Sequence, residues 1–410
     1  MNKLLKGALT GAALFATSAN LYAACDIEKG NISILANDFP ALHAVVNGAE
    51  ECAGDGVEFA KNHNKDFKDV MIAALTSDPA EFSSVVVSNG PLVTLMNDGL
   101  VRPLDDLVAK HGGSLKKNQL VTVDGKVMAV AFMANAQHLF YREDILKEAG
   151  VDVPATYDDV LAAAAAIKDK GLMEYPITGT YKAGWNLGEE FINMYMGTGA
   201  SFFKEGSAEP AINNENGIAT LNMMKALSEY MNPDFLTFDS NAVQADWEAG
   251  NAALTNLWGS RAGAVLDDEG ASAEVVAGTR FASAPRLAGD VPATTLWWDG
   301  FTISKNISDE DAEATFVAMM NGITTEMANA NADAAVWLID GYTPGDTAVG
   351  VAASAEAGAK PYPMLPYMAL MHGALGNEIV EFLQGSESAE TALADAEAAY
   401  IAAAKEGGFL

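Results

Sequence analysis

The residues able to do chemistry in this 410-residue chain are aromatic and polar side chains without a catalytic spacing. The sequence has no G-x-x-x-x-G-K-[ST] phosphate loop, no G-x-G-x-x-G fingerprint, no G-x-S-x-G elbow and no H-E-x-x-H zinc helix. His43, His63, His111, His138 and His372 are scattered without ligand spacing, and Cys25 and Cys52 are the only cysteines, so no Cys/His set for a metal is in view. Among 55 Asp and Glu residues, chance carboxylate pairs suited to glycoside hydrolysis are common and carry no information. No catalytic residue, metal or cofactor is therefore assigned. What remains are six tryptophans, two of them adjacent at Trp297 and Trp298, and the polar pairs Asn37-Asp38 and Ser88-Asn89, each following a short apolar run. Adjacent strand residues point to opposite faces, so one of Trp297 and Trp298 is expected to line a cleft while the other packs inside. Ligands of open α/β sheets sit at the carboxyl ends of strands, where the two polar pairs fall, although Asn, Asp and Ser also make turns and helix caps there.

These residues need a frame, and the chain alternates β-type and helical runs from Asn31 onward. Ile32–Leu35, Val57–Ala60 and Ser84–Val87 read as strands, with helical stretches after Pro40 and over Phe67–Leu75, a pattern that predicts a parallel α/β sheet. Thr156 with Asp159 three residues on forms a capping-box variant before Tyr157–Lys170, with Gly171 as a stop, and Ser308 with Asp311 opens a helix through Met320 in the same way. A last helix is expected over about Glu390–Lys405, with Leu393, Ala396, Tyr400, Ala403 and Ala404 on one face. The Gly/Ala-rich stretch Gly341–Lys360 reads as a loop region. No domain-length linker is present, so a two-domain chain would cross between lobes on hinge-like strands.

Composition narrows the partners. Twenty-four Lys and Arg against 55 Asp and Glu give a formal charge of -31, which repels nucleic-acid backbones and anionic lipid surfaces. Half of the chain is hydrophobic, which excludes a disordered polyelectrolyte. Residues 1–24 read as a secretory signal peptide: Lys3 and Lys6, an apolar run from about Ala8 to Ala16, then small residues through Ala24. In an oxidising compartment Cys25 and Cys52 read as one disulfide; the competing reading is lipidation of Cys25, which follows the cleavage site with Tyr22 where a lipoprotein signal has Leu.

Three segments resemble one family. LFYREDILKEAG at Leu139–Gly150 with VPATYDD at Val153–Asp159, DWEAGNAALTNLW at Asp246–Trp258, and WWDGFTISKN at Trp297–Asn306 are similar, in order and spacing, to motifs of the extracellular solute-binding proteins, the carbohydrate-binding family that includes maltose-binding protein. The resemblance implies a periplasmic-binding-protein fold of two α/β lobes joined by crossover hinge strands, with the ligand cleft between them. It implies a first lobe of 25–131 plus 277–325 and a second of 132–276 plus 326–410. The function it implies is capture of a sugar or small oligosaccharide by a periplasmic monomer and delivery to an ABC transporter permease. Rivals are the same fold binding a polyamine or glycerol phosphate, and a secreted polysaccharide-degrading enzyme.

A pyranose offers an apolar C–H face and a rim of hydroxyls, so its site needs flat rings and fixed donors and acceptors. Trp258 matches the family's stacking position, and Tyr181 and Trp185 fall where the family places second-lobe aromatic contacts. Trp297 or Trp298 would add a further ring, whereas Trp247 and Trp337 read as structural. Asn37, Asp38, Ser88, Asn89, Asp299, Gln137 and Arg261 are the candidates for the rim. Tyr367, Met371 and His372 lie where the family's C-terminal region reaches the cleft.

Overall fold

Alternating and continuous apolar runs set the strands of this molecule. The computed structural model describes Cys25, residues 27–267 and residues 269–410; the signal-like segment 1–24 lies outside the described residues. In β1 (Gly30–Ala36), Ile32, Ile34, Leu35 and Ala36 are all buried, because the strand is covered on both faces. It pairs in parallel with β2 (Val57–His63) on one side and β3 (Ser84–Ser88) on the other. β4 (Leu120–Val123) and β5 (Lys126–Asn135) follow, and the chain then crosses at Ala136 into β6 (Gln137–Arg142). β6 is the centre of a three-stranded antiparallel sheet with β7 (Leu254–Trp258) and β8 (Thr279–Ala282). β9 (Thr295–Phe301) returns to the large sheet, inserting antiparallel between β3 and β5. β10 (Val336–Trp337) pairs with β5, and β11 (Lys360–Pro361) with the start of β9.

These are two α/β lobes with separate cores. Ile32, Ile34, Val45, Phe132, Phe301, Phe316 and Trp337 centre the first, and Phe191, Tyr195, Leu221, Leu254, Leu375 and Tyr400 the second. The lobe limits differ from expectation at three places: residues 132–135 continue β5 in the large sheet, and Phe132 is in the first-lobe core. Thr279–Arg142 begins a ladder that holds β8 to β6, so residues 279–282 belong with the small sheet; Trp337, paired to Met133, keeps residues 336–337 with the large one.

Helix ends follow their caps. Thr156 Oγ1 accepts from the Asp159 amide at 3.1 Å while Asp159 accepts from the Thr156 amide at 2.9 Å, and Tyr157–Asp169 is helical before Gly171 turns at φ 69°. Ser308 caps Asp309–Gly322, and its hydroxyl donates to Asp311 Oδ2 at 2.7 Å, but Asp311 does not bond the Ser308 amide as the expected box requires; its Oδ1 accepts from the Asn31 amide at 2.7 Å and pins the start of β1. The last helix is Ala389–Glu406, with Leu393, Ala396, Tyr400 and Ala404 buried. The stretch expected as a loop contains a helix, Val349–Glu356. Its Gly350 sits against His138, where a Cβ would overlap the imidazole, so that glycine serves close packing. Cys25 and Cys52 are joined as a disulfide.

Candidate functional site

The site is built on a helix start. Gly184, at φ 92°, donates its amide to the Gly376 carbonyl at 2.9 Å and precedes the helix Trp185–Met196. One turn on, Gly188 lies where a Cβ would be 2.6 Å from the His372 carbonyl oxygen. These glycines let the helix lie against Met368–Glu378, and Trp185 is thereby placed at the mouth of the cleft, 40% exposed. Behind it, His372 stacks on the indole with ring centroids 4.8 Å apart and donates Nε2–H to the Trp185 carbonyl at 2.7 Å. That bond fixes the tautomer: Nδ1 is the acceptor for the Tyr362 hydroxyl at 2.9 Å. Burial lowers the His372 pKa to about 4, so the ring is neutral.

Around Trp185 the other rings form a continuous platform. Trp258, at the end of β7, stacks on Trp185 at 6.3 Å, and Trp297 meets both edge-on, at 5.8 Å from Trp185 and 6.0 Å from Trp258. Tyr362 packs against Trp297 at 4.2 Å. The two adjacent tryptophans of β9 divide as alternation requires. Trp297 is buried in the second-lobe core, whereas Trp298 is half-buried against the first-lobe cluster of Phe67, Met71 and Val87.

Two carboxylates lie near this platform. Glu189, buried, accepts from Trp297 Nε1 and Thr295 Oγ1, each at 2.9 Å, and its second oxygen has no partner. Burial pushes its pKa up to about 8 against those two donors. Asp299, half-buried and opposite Ser88 in the strand register, has its pKa raised to about 7 by desolvation, opposed by the charge of Lys68. Lys68, from the first-lobe helix Phe67–Thr76, holds its ammonium 4.7 Å from the centroid of the Trp185 ring. The lobes thus meet across the cleft at a cation over an aromatic face.

The first lobe is polar just after β1 and at the end of β2. Asp38 accepts from His43 Nε2 at 2.8 Å, which holds its carboxyl below the usual range, and His43 stacks on His63 at 3.8 Å. Asn37 is spent on the turn: its side chain accepts from the Asp38 amide and its carbonyl from His63 Nδ1.

Several expected contacts lie elsewhere. Asn89 is fully buried, its amide spanning the Leu296 carbonyl and the Trp298 amide, so it fastens β9 to the lobe. Gln137 is buried between Thr180 and Asn193, and its carbonyl accepts from Thr294, which ties the two crossings together. Tyr181 is buried beside Phe235 and lines a second-lobe pocket of about 30 Å³ with Glu190, Thr178 and Asn256. Met371 is core, and Tyr367 packs on Phe203 and Phe409 with its hydroxyl on the Ser207 carbonyl. Arg261 is half-buried and donates to Gln244 at 3.1 Å. His372 is beneath the platform and positions Trp185 rather than facing the cleft. Trp247 and Trp337 are buried in the second-lobe and first-lobe interiors, with their indole N–H groups on Thr279 and the Asn331 carbonyl. Sequence reasoning missed Lys68, Glu189 and Tyr362, whose roles rest on contacts between distant segments.

The sequence profile of the family described as "Bacterial extracellular solute-binding protein" matches residues 35–325. The mannitol-binding protein of Pseudomonas aeruginosa is 28% identical over 219 residues, 52% of this chain and 48% of that protein. A binding protein of Brucella abortus is 27% identical over 150 residues, 32% of this chain and 36% of its own length. The chain thus spans about a third to a half of the length of these curated relatives. Among solved structures, an ABC transporter solute-binding protein from Agrobacterium radiobacter K84 in complex with ribitol superposes with a TM-score of 0.78 at 19% identity, covering 91% of this chain and 98% of that one. One from Agrobacterium vitis S4 with bound D-mannitol gives 0.75 at 19%, covering 93% and 99%. A maltose-bound protein of T. maritima gives 0.74 at 18%, covering 90% and 98%. At these identities the structural likeness shows the fold.

Proposed function

Because the chain belongs to the bacterial extracellular solute-binding proteins, a family of binding proteins and not of enzymes, we propose that its cleft captures a neutral polyhydroxylated molecule, a sugar, small oligosaccharide or sugar alcohol. The observation that carries this reading is the Trp185 face: an exposed indole, braced by His372, Trp258 and Trp297, with the Asp299 carboxylate nearby as an acceptor for hydroxyls. A C–H face stacks on such a ring, and a desolvated carboxylate accepts from adjacent hydroxyls. The sugars and sugar alcohols bound by the similar proteins support the same class. In this reading residues 1–24 export the chain to the periplasm, the crossings at Ala136, 283–294 and 340–348 act as the hinge, and the closed monomer delivers its cargo to an ABC permease.

A thermal-shift panel of sugars, sugar alcohols, alkylamines and phosphate esters tests this. A rise of several degrees with one or more neutral polyhydroxylated compounds is expected. A response confined to amines or phosphate esters contradicts the ligand class, and release of reducing sugar from a polysaccharide contradicts the assignment as a pure binder.

A further inference from the structure

Lys68 stands apart from the other cleft residues. It comes from the first lobe, yet its ammonium lies 4.7 Å from the centroid of a second-lobe ring, too close for a ligand ring to lie between them. Among the described residues no carboxylate oxygen is within 4.0 Å of it, so it is held by the indole face and by longer-range charge. The acidic groups facing it are Asp299, Glu189 and Asp69, of which Asp299 acts most strongly on its charge. An aromatic face flanked by carboxylates is the arrangement that recognises an alkylammonium ion. Here the chain's own lysine fills it.

We propose that Lys68 sets the charge class of the ligand: by occupying the Trp185 face and balancing Asp299, it excludes cationic amines and leaves the cleft to neutral polyhydroxylated molecules, a conclusion that rests on the ligand class given above. A neutral ligand has only to push the flexible lysine side chain off the indole and can then use both Trp185 and Asp299. An amine has to displace one cation with another, against a fixed positive charge, and gains nothing for it.

The test compares the intact protein with K68M and K68R, using isothermal titration with mannitol or whichever neutral compound the panel identifies, and with n-butylamine and putrescine. Lys68 is solvent-exposed, so methionine is expected to leave the fold intact, which a melting curve checks. The proposal predicts no detectable amine binding by the unsubstituted protein or by K68R, where the charge persists, and amine binding by K68M at least about tenfold tighter than the detection limit. No amine binding by K68M, or equal gain in K68M and K68R, overturns the proposal while leaving the neutral-ligand reading intact. Amine binding by the unsubstituted protein overturns the proposal, and amine binding without any neutral ligand overturns the ligand class as well.

Discussion

The two walls of the cleft are built on opposite principles. The second-lobe wall is a stack of rings whose polar atoms are spent beneath it: His372 on the Trp185 carbonyl, Tyr362 on His372, Trp297 on Glu189. The first-lobe wall is a set of partly exposed polar side chains, with the Asp38 and His43 side chains 41% and 43% exposed. Exposed charge pairs of this kind contribute little on their own, whereas a rigid aromatic face loses almost no entropy when a ligand covers it. In the proposed function, affinity falls to the second lobe and discrimination to the first, with β9 reaching both cores by sending Trp297 one way and Trp298 the other.

The sharpest way to break this contrast is Trp185→Ala. Removing the exposed ring should weaken binding of the neutral ligand on the order of 100-fold in a calorimetric titration. A loss below about threefold would place the ligand's seat elsewhere. Asp299→Asn comes next, with an expected loss of about tenfold, since a charge-assisted acceptor becomes a neutral one. Asp38→Asn should stay within about twofold, because its carboxylate is exposed and already paired with His43. Equal losses at 299 and 38 would remove the distinction between a built acceptor and a surface pair.

The smallest effect concerns the support of the platform. Glu189 is raised to about 8 by burial, so the folded protein holds its proton more tightly than the unfolded chain does. Stability contributed this way is present at low pH and is lost as pH rises from about 4.5 through about 8. Asp299 and Glu190, both raised to about 7, add to the slope only over its lower part. Glu189→Gln should therefore melt with a flatter pH profile, and the two profiles should diverge steadily between about pH 5 and 8. Parallel profiles over that interval would mean that Glu189 is ionised in the folded state.

Much of this architecture was legible in the sequence because it is local or periodic. The opening strands, the Thr156 cap and the last helix follow from patterns spanning a few residues, and the Trp297-Trp298 division follows from strand alternation, whereas Trp185 and Trp258 were singled out by the family resemblance. What was not legible depends on contacts between distant segments. Gly350 reads as a loop residue until His138 is found against it, Asn89 reads as a rim donor until β9 arrives to use it, and Asp311 reads as a box-forming cap until Asn31 takes its carboxylate. Lys68 sits on an ordinary amphipathic helix, and nothing within that helix indicates that Trp185 lies opposite it.

A crystal structure of the protein with its neutral ligand bound tests the account most directly. The expected density has the ligand lying flat on Trp185, a hydroxyl within hydrogen-bond distance of Asp299, and the Lys68 ammonium moved off the ring. Ligand density outside the cleft, or in the cleft with Lys68 still seated on Trp185, would contradict it.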